Sequence, residues 1–262
     1  MLSSLQNPLV KQIRKLHKTQ ERHKENLHLL EGTNLLESAS NLNYPLVTVL
    51  STELWQKKHY SLWQTLQNQA QRLETVSPEL MKNLATTVNP DGVIATAYRH
   101  SRPCQPPQNF RLGLVCDRIQ DPGNLGTIIR TCVATDVDFL WLSSDSVDID
   151  NPKVMRSSVG EWFKIQAKVE NDLPFLVQKY QSQGYQIIAT SLTGEKTHWD
   201  LDFTRSTILL LGNEAQGLSP QLQSLAVDTV KIPLSNGVES LNVAIATAFL
   251  LSEYQRQTRQ VT

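Results

Sequence analysis

The chain has 262 residues, 40% of them apolar and 19% charged, and Lys plus Arg balances Asp plus Glu at 25 each. That length holds one large domain or two, and the balance leaves the whole chain without a basic signature, which weighs mildly against a dominant electrostatic grip on nucleic acid while leaving room for local basic patches. The three cysteines form no C-x-x-C pair, which argues against a disulfide framework or a zinc site. No apolar run reaches membrane-spanning length and no signal-like stretch precedes the first charges, so a soluble cytoplasmic protein with neither membrane nor metal is expected.

The first predicted element is a helix opened by "NPLVKQIRKL", with Asn7 as its N-cap and Pro8 at its first position. Lys11, Arg14, Lys15, Lys18, Arg22 and Lys24 face Glu21 alone in this region. Such a run is either a solvated helix face or a phosphate-binding one. Short β candidates follow at "LHLLEG", "PLVTVLS", "RLETV" and "GVIATAY", separated by helices that include "SPELMKNLA". This alternation predicts a small α/β domain. The proline-rich "HSRPCQPPQN", residues 100–109, reads as a linker and divides the chain into 1–99 and 110–262.

Beyond the linker the strand candidates are "RLGLVCDRI", "DFLWLSS", "KIQAKV", "YQIIATS", "STILLLG" and "DTVKIPL". Helices are expected near 124–135, 152–163, 172–183 and 219–226, with a long last one from Ser240. Near-continuous apolar strands predict a parallel sheet covered on both faces. "DSVDID", residues 145–150, lacks the glycine and distal Glu of a calcium loop and is read as capping the helix begun at Pro152.

In a parallel sheet of this kind ligands bind at the carboxyl ends of the strands. Three strand ends carry unusual polar content: "DPGNLGTIIR", "LLLGNEAQGL" and "KIPLSNGVESLNVAIATAFL". The first looks like a dinucleotide turn, yet it has only Gly123 and Gly126 and not the full G-x-G-x-x-G. Taken singly, each stretch has a plain structural reading. Glycines turn the chain, Asn124 or Ser240 caps a helix, and Arg130 is a surface residue.

Together and in this order, the three stretches resemble the signature motifs of the SpoU (TrmH) class of RNA ribose 2′-O-methyltransferases, within the SPOUT superfamily. Asn124, Gly126 and Arg130 match the first motif, and Gly212, Asn213, Glu214, Gly217 and Leu218 the second. Ile232, Pro233, Ser240, Leu241, Asn242 and Val243 match the third. "NPKVMRSSVGEWF" is similar to a further stretch of the class, with Glu161 standing where members commonly carry a small residue.

The resemblance implies an α/β fold whose C-terminal parallel-sheet SPOUT domain, 110–262, carries a deep trefoil knot. A small ribosomal-protein-like domain, 1–99, would precede it and bind the RNA substrate. S-adenosylmethionine would be held by Thr190, Ser191, Leu192, Leu211, Gly212, Asn213, Gly217, Ile232, Leu234, Leu241 and Ala244. The class gives Arg130 the central catalytic role, with Asn124, Glu214, Ser240 and Asn242 orienting the groups around it. A guanidinium normally stays protonated, so binding a phosphate and stabilising the developing alkoxide is the physically simpler task for Arg130. RNA contacts are expected from Lys11, Arg14, Lys15, Lys18, Arg22, Lys153 and Arg156. The implied partners are RNA, with ribosomal RNA favoured over transfer RNA and guanosine the commonest nucleotide, and a second copy of the chain bound through the knotted domain. Two rivals are weighed. An NAD-binding oxidoreductase, drawn from the opening turn plus Asp145, leaves the other two motifs unexplained. An inactive RNA-binding protein of the same fold sits badly with five intact catalytic positions.

Overall fold

Asn7 opens α1 (Pro8–Lys15), its side-chain oxygen accepting from the Leu9 N–H at 2.9 Å. The structure, a computed structural model, describes residues 1–99 and 104–259; residues 100–103 of the expected linker lie outside them. Val10 and Ile13 turn inward from α1 while Lys11, Arg14 and Lys15 stay exposed, the division that 3.6-residue periodicity gives an amphipathic helix. Then come α2 (Thr19–Glu25), β1 (Leu27–Glu31), α3 (Thr33–Asn41), β2 (Leu46–Ser51), α4 (Glu53–Lys58), α5 (Tyr60–Gln69), β3 (Ala70–Thr75), α6 (Pro78–Leu84) and β4 (Val93–Tyr98). Ser77 caps α6 as expected, its hydroxyl accepting from the Leu80 N–H. The four strands form one sheet in the order β1-β4-β2-β3, with β4 antiparallel to both neighbours and β2 parallel to β3. Val10, Ile13, Leu16, Leu29, Leu50, Leu80 and Leu84 pack together as the core of this region.

The rest of the chain contributes β5 (Leu112–Cys116), α7 (Pro122–Ala134), β6 (Phe139–Ser143), α8 (Pro152–Ser157), β7 (Ala167–Glu170), α9 (Leu173–Ser182), β8 (Gln186–Thr190), β9 (Lys196–Thr197), β10 (Thr207–Leu211), α10 (Pro220–Leu225), β11 (Asp228–Lys231) and α11 (Val243–Thr258). Seven strands pair throughout in parallel, in the order β7-β6-β5-β10-β8-β11-β9. On one face Val115, Trp141, Ile187 and Leu210 pack with Val177 and Tyr180 of α9 and Leu222 of α10. Alternate residues Leu114, Ile188 and Leu209 are buried as well, so the sheet is covered on both faces. α7 and α11 pack against each other. The two-residue β9 was not expected. α11 begins at Val243 rather than Ser240, because the side chain that caps it belongs to Asn242. Among the described residues no helix is long and apolar enough to cross a membrane.

The chain divides into two units, Met1–Pro103 with Asp148–Phe163, and Cys104–Val147 with Lys164–Thr262. A cut at the linker alone leaves residues 148–163 on the wrong side of this division, and the reason is a set of buried polar contacts. Arg22 pairs with Asp148 at 2.6 Å and Arg99 with Asp150 at 2.8 Å. From α8, Arg156 Nη1 donates to Glu31 Oε2 at 2.8 Å and to Thr86 Oγ1 at 2.6 Å. The Trp162 ring meets His28 edge-on at 5.1 Å and donates through Nε1 to the Ile149 carbonyl at 3.0 Å. Asp148 and Asp150 therefore hold arginines of the first unit, and the cap of α8 is Asn151 rather than the acidic run before it.

Two expected RNA contacts are corrected by this geometry. Arg22 is fully buried: its guanidinium donates to the carbonyls of Leu16 and His17, to Thr19 and to Asp148, which leaves nothing for a phosphate. Arg156 is committed to Glu31 and Thr86. Lys153 remains exposed on α8.

Candidate active site

The site is built where the strand register brings three loop ends level. Leu211 of β10 stands beside Cys116 of β5, and the Asp117 N–H donates to the Leu211 carbonyl at 2.8 Å. Asp117–Arg118 and Gly212–Asn213 therefore leave the sheet side by side. On the other flank of β10 lies β8, which ends at Thr190. β5, β6 and β7 run outward one way while β8 and β11 lie on the opposite side of β10. The carboxyl ends on either side of such a reversal leave a crevice.

A cavity of about 740 Å³ opens there. It is lined by Thr190, Ser191 and Leu192 after β8, by Leu211 through Leu218 after β10, and by Ile232, Pro233 and Leu234 after β11. Glu239, Ser240, Leu241 and Val243 add a further wall. Of the residues expected to hold the cofactor, all line this cavity except Ala244. Ala244 follows the N-cap of α11, is buried and turns away; Val243, Ala246 and Leu250 present the lining face instead. Their spacing of three and four along a helix was the readable signal for that face. Lys231, Gln223 and Glu239 also line the cavity and were not anticipated.

Gly212 cannot be replaced here without cost. A Cβ at that position would run into the backbone of Gly217 and Leu218. The turn it approaches is closed on itself, Asn213 N–H donating to the Gly217 carbonyl at 3.0 Å and Gly217 N–H to the Asn213 carbonyl at 2.9 Å. Gly217 has φ +67°, a conformation that glycine adopts freely.

Across the rim runs a chain of three side chains. Asn242 Nδ2 donates to Asn124 Oδ1 at 2.8 Å, and Asn124 Nδ2 donates to Glu214 Oε1 at 2.8 Å. Asn242 is itself fixed, its Oδ1 accepting from the Ala244 and Ile245 N–H groups. Asp121 caps α7 through the Asn124 N–H at 2.9 Å, so Asn124 is free to use its side chain outward. Residues from three separate motifs thus meet in one hydrogen-bonded line.

Ser240 lines the cavity and stays exposed outside this line. Arg130 is exposed on α7, and among the described residues its guanidinium has no hydrogen-bond or ion-pair partner. Six positions after Asn124 on a helix place it about 240° round the axis, so the two side chains leave α7 in different directions. Cys116 is not a nucleophile: burial, then Glu214 and Asp117, push its thiol up to about 12. Burial raises the Cys132 thiol as well. Among the described residues no group of His, Cys, Asp and Glu is placed to hold a metal ion.

One further residue was missed. Arg118 follows β5 with φ +58°, a left-handed conformation that costs a side-chain-bearing residue roughly 1–2 kcal/mol. Its N–H donates to Ser143 Oγ at 2.8 Å, and the following Ile119 N–H donates to Ser146 Oγ at 3.1 Å. Nothing in the bare sequence distinguishes such an arginine, because a left-handed position is ordinarily signalled by Gly or Asn.

Comparison with known proteins now adds to this geometry. Residues 111–252 match the model described as the SpoU rRNA Methylase family, and residues 7–95 the MRM3-like substrate binding domain. An uncharacterized tRNA/rRNA methyltransferase of Synechocystis is 45% identical over 98% of this chain and 93% of its own length. The 23S rRNA (guanosine(2553)-2′-O)-methyltransferase RlmP of Bacillus subtilis is 31% identical over 95% of this chain and 97% of its own. Among solved structures, an AdoMet-bound rRNA methyltransferase from Sinorhizobium meliloti superposes with a TM-score of 0.85 at 27% identity, covering 99% of this chain and 98% of that one.

Proposed function

The chain belongs to the SpoU rRNA methylase family, and on that premise we propose that it transfers a methyl group from S-adenosylmethionine to a ribose 2′-hydroxyl of RNA. The observation that carries this reading is the Asn242–Asn124–Glu214 line at the rim of the 740 Å³ cavity. It puts polar positioning groups next to a volume suited to a nucleoside-sized ligand.

The lining fits that cofactor. Leu192, Leu211, Ile232, Leu234 and Leu241 offer apolar walls for adenine and the methionine chain, Gly212 and Gly217 allow close backbone approach, and the carboxylates of Glu214 and Glu239 suit a cationic ligand. The bound cofactor supplies an activated methyl group on a sulfonium. What remains for the protein is alignment and charge management. Asn124 and Asn242 orient the ribose, Glu214 fixes Asn124, and Ser240 presents a hydroxyl at the cavity wall. Arg130, exposed and uncommitted, binds an RNA phosphate and stabilises the oxygen as it loses its proton. The rim hydrogen bonds hold Asn242, Asn124 and Glu214 in fixed positions before the RNA arrives, the condition for orientation to lower a barrier.

RNA is gripped in addition by the first unit. Lys11, Arg14 and Lys15 leave α1 on its exposed side, and Lys18 follows in the turn before α2. Such a stripe supplies phosphate affinity with little sequence information. The relatives favour ribosomal RNA, and guanosine is the proposed nucleotide on the strength of the Bacillus subtilis relative. From the resemblance to the class we also propose a deep trefoil knot in the C-terminal part of the 110–262 domain and a homodimer through that knotted domain. Mapping ribose methylation in total RNA from cells with and without this protein tests the reading. One 2′-O-methyl mark in 23S rRNA that vanishes with the protein is expected, and an unchanged methylation map would sink the proposal.

A further inference from the structure

We propose that Arg118 is a positioning residue that clamps the Asn213–Gly217 turn against the end of β5 and thereby holds Glu214 in register with Asn124. The inference rests on the proposed methyl transfer and adds to it a residue outside the three motifs.

Arg118 grips the turn from two directions. Its main-chain carbonyl accepts from Asn213 Nδ2 at 2.8 Å. Its guanidinium reaches the other side, Nη1 donating to Gln216 Oε1 at 2.9 Å and Nη2 to the Gly217 carbonyl at 3.1 Å. Inside the turn, Asn213 Oδ1 accepts from the Ala215 and Gln216 N–H groups, so the turn moves as one piece. Asp117 completes the brace. Its carboxylate pairs with Arg118 at 3.3 Å and accepts from the Ser219 N–H at 2.7 Å, just past the turn.

The left-handed backbone is what makes the two-sided grip possible. With φ at +58°, the Arg118 carbonyl and side chain both face the neighbouring loop, and Ser143 and Ser146 hold that conformation from below. Glycine or asparagine would adopt this backbone more easily, so an arginine there points to use of the guanidinium. Glu214 lies at the exposed tip of the clamped turn, and its carboxylate accepts from Asn124 at 2.8 Å. The whole turn, Asn213 through Gly217, lines the cofactor cavity. Release of the turn would therefore loosen the cavity wall and the rim hydrogen bond together.

The test uses the full chain with Arg118→Asn, which keeps the left-handed backbone and removes the guanidinium, and Gln216→Ala, which removes one partner from the opposite side. Cofactor affinity is measured by titration calorimetry with S-adenosylmethionine, turnover on the substrate RNA, and stability by thermal melting. For Arg118→Asn the dissociation constant of the cofactor rises and kcat falls, each by roughly tenfold or more. The melting temperature stays equal to wild type or above it, and KM for RNA is unchanged. Gln216→Ala shifts the same two quantities in the same direction by less, and Arg118→Lys recovers only part of the loss, since it keeps the charge without the fork. Wild-type affinity and turnover in Arg118→Asn would overturn the clamp, as would a loss confined to KM for RNA or to the melting temperature. A wild-type protein that binds no S-adenosylmethionine takes down the proposed methyl transfer, and this inference with it.

Discussion

Arg22 and Arg130 show the two units putting the same side chain to opposite uses. Arg22 is fully buried and donates to two carbonyls, a hydroxyl and a carboxylate. Arg130 is exposed and, among the described residues, donates to nothing. The glutamates divide in the same way. Glu31 accepts from Thr86, Thr87 and Arg156 with its carboxyl almost wholly covered, whereas Glu214 is exposed and accepts from Asn124. The buried charges Arg22 and Glu31 of the first unit hold segment 148–163, whereas in the second unit Glu214 stands at the cavity rim and Arg130 is open to solvent on α7. A cluster of charged residues in a sequence is therefore ambiguous until its partners are seen, because a satisfied ion pair and an open binding group use the same side chains.

The contrast can be broken from either side. The largest effect is expected from Arg22→Met. It leaves Asp148 buried with its main partner gone and should cost about 3–5 kcal/mol in chemical denaturation. A loss below about 1 kcal/mol would mean that the pair behaves like a surface bridge. Arg130→Ala should do the reverse, lowering methyl transfer on the order of 10²–10³-fold with melting unchanged. Normal turnover by that variant would remove Arg130 from the mechanism.

Glu31 sharpens the comparison through pH. Burial acts to raise its pKa, but the hydrogen bonds from Thr86 and Thr87 and the Arg156 guanidinium outweigh burial and hold it below the ordinary glutamate value. A carboxyl whose folded pKa is depressed stabilises the fold above its unfolded value, about 4.3, and that contribution is lost as pH falls through the folded one. Urea melts between about pH 6 and 3 should show this acid loss in wild type and a flatter, less stable profile in Glu31→Gln. An acid limb that is identical in both would show that Glu31 carries no linkage. The smallest effect belongs to the basic stripe. Removing Lys11, Lys15 or Lys18 should weaken RNA binding modestly and reduce the salt slope by about one per contact, while methyl transfer at saturating RNA is kept. An unaltered salt slope would take the stripe out of the interface.

Much of this was legible in the residues. Apolar runs marked every strand of the parallel sheet except β9, which spans two residues and has no run to show. Asn7, Ser77 and the prolines after them marked helix starts, since capping is a local interaction. The start of α11 was misread by a few residues because Ser240 and Asn242 are both good caps, and the choice depends on which side chain reaches the free N–H groups.

The order of the motifs along the chain was enough to identify the family and to name cofactor residues of which all but Ala244 line the cavity, because close backbone approach and apolar walls demand particular residue types at particular strand ends. Tertiary structure alone decided three other matters. It assigned residues 148–163 to the first unit, it buried Arg22 against Asp148 and tied Arg156 to Glu31, each from a distant part of the chain, and it set Arg118 against a turn nearly a hundred positions away. Each of these depends on pairing between side chains far apart in sequence, and no local pattern records which acid a given arginine will meet.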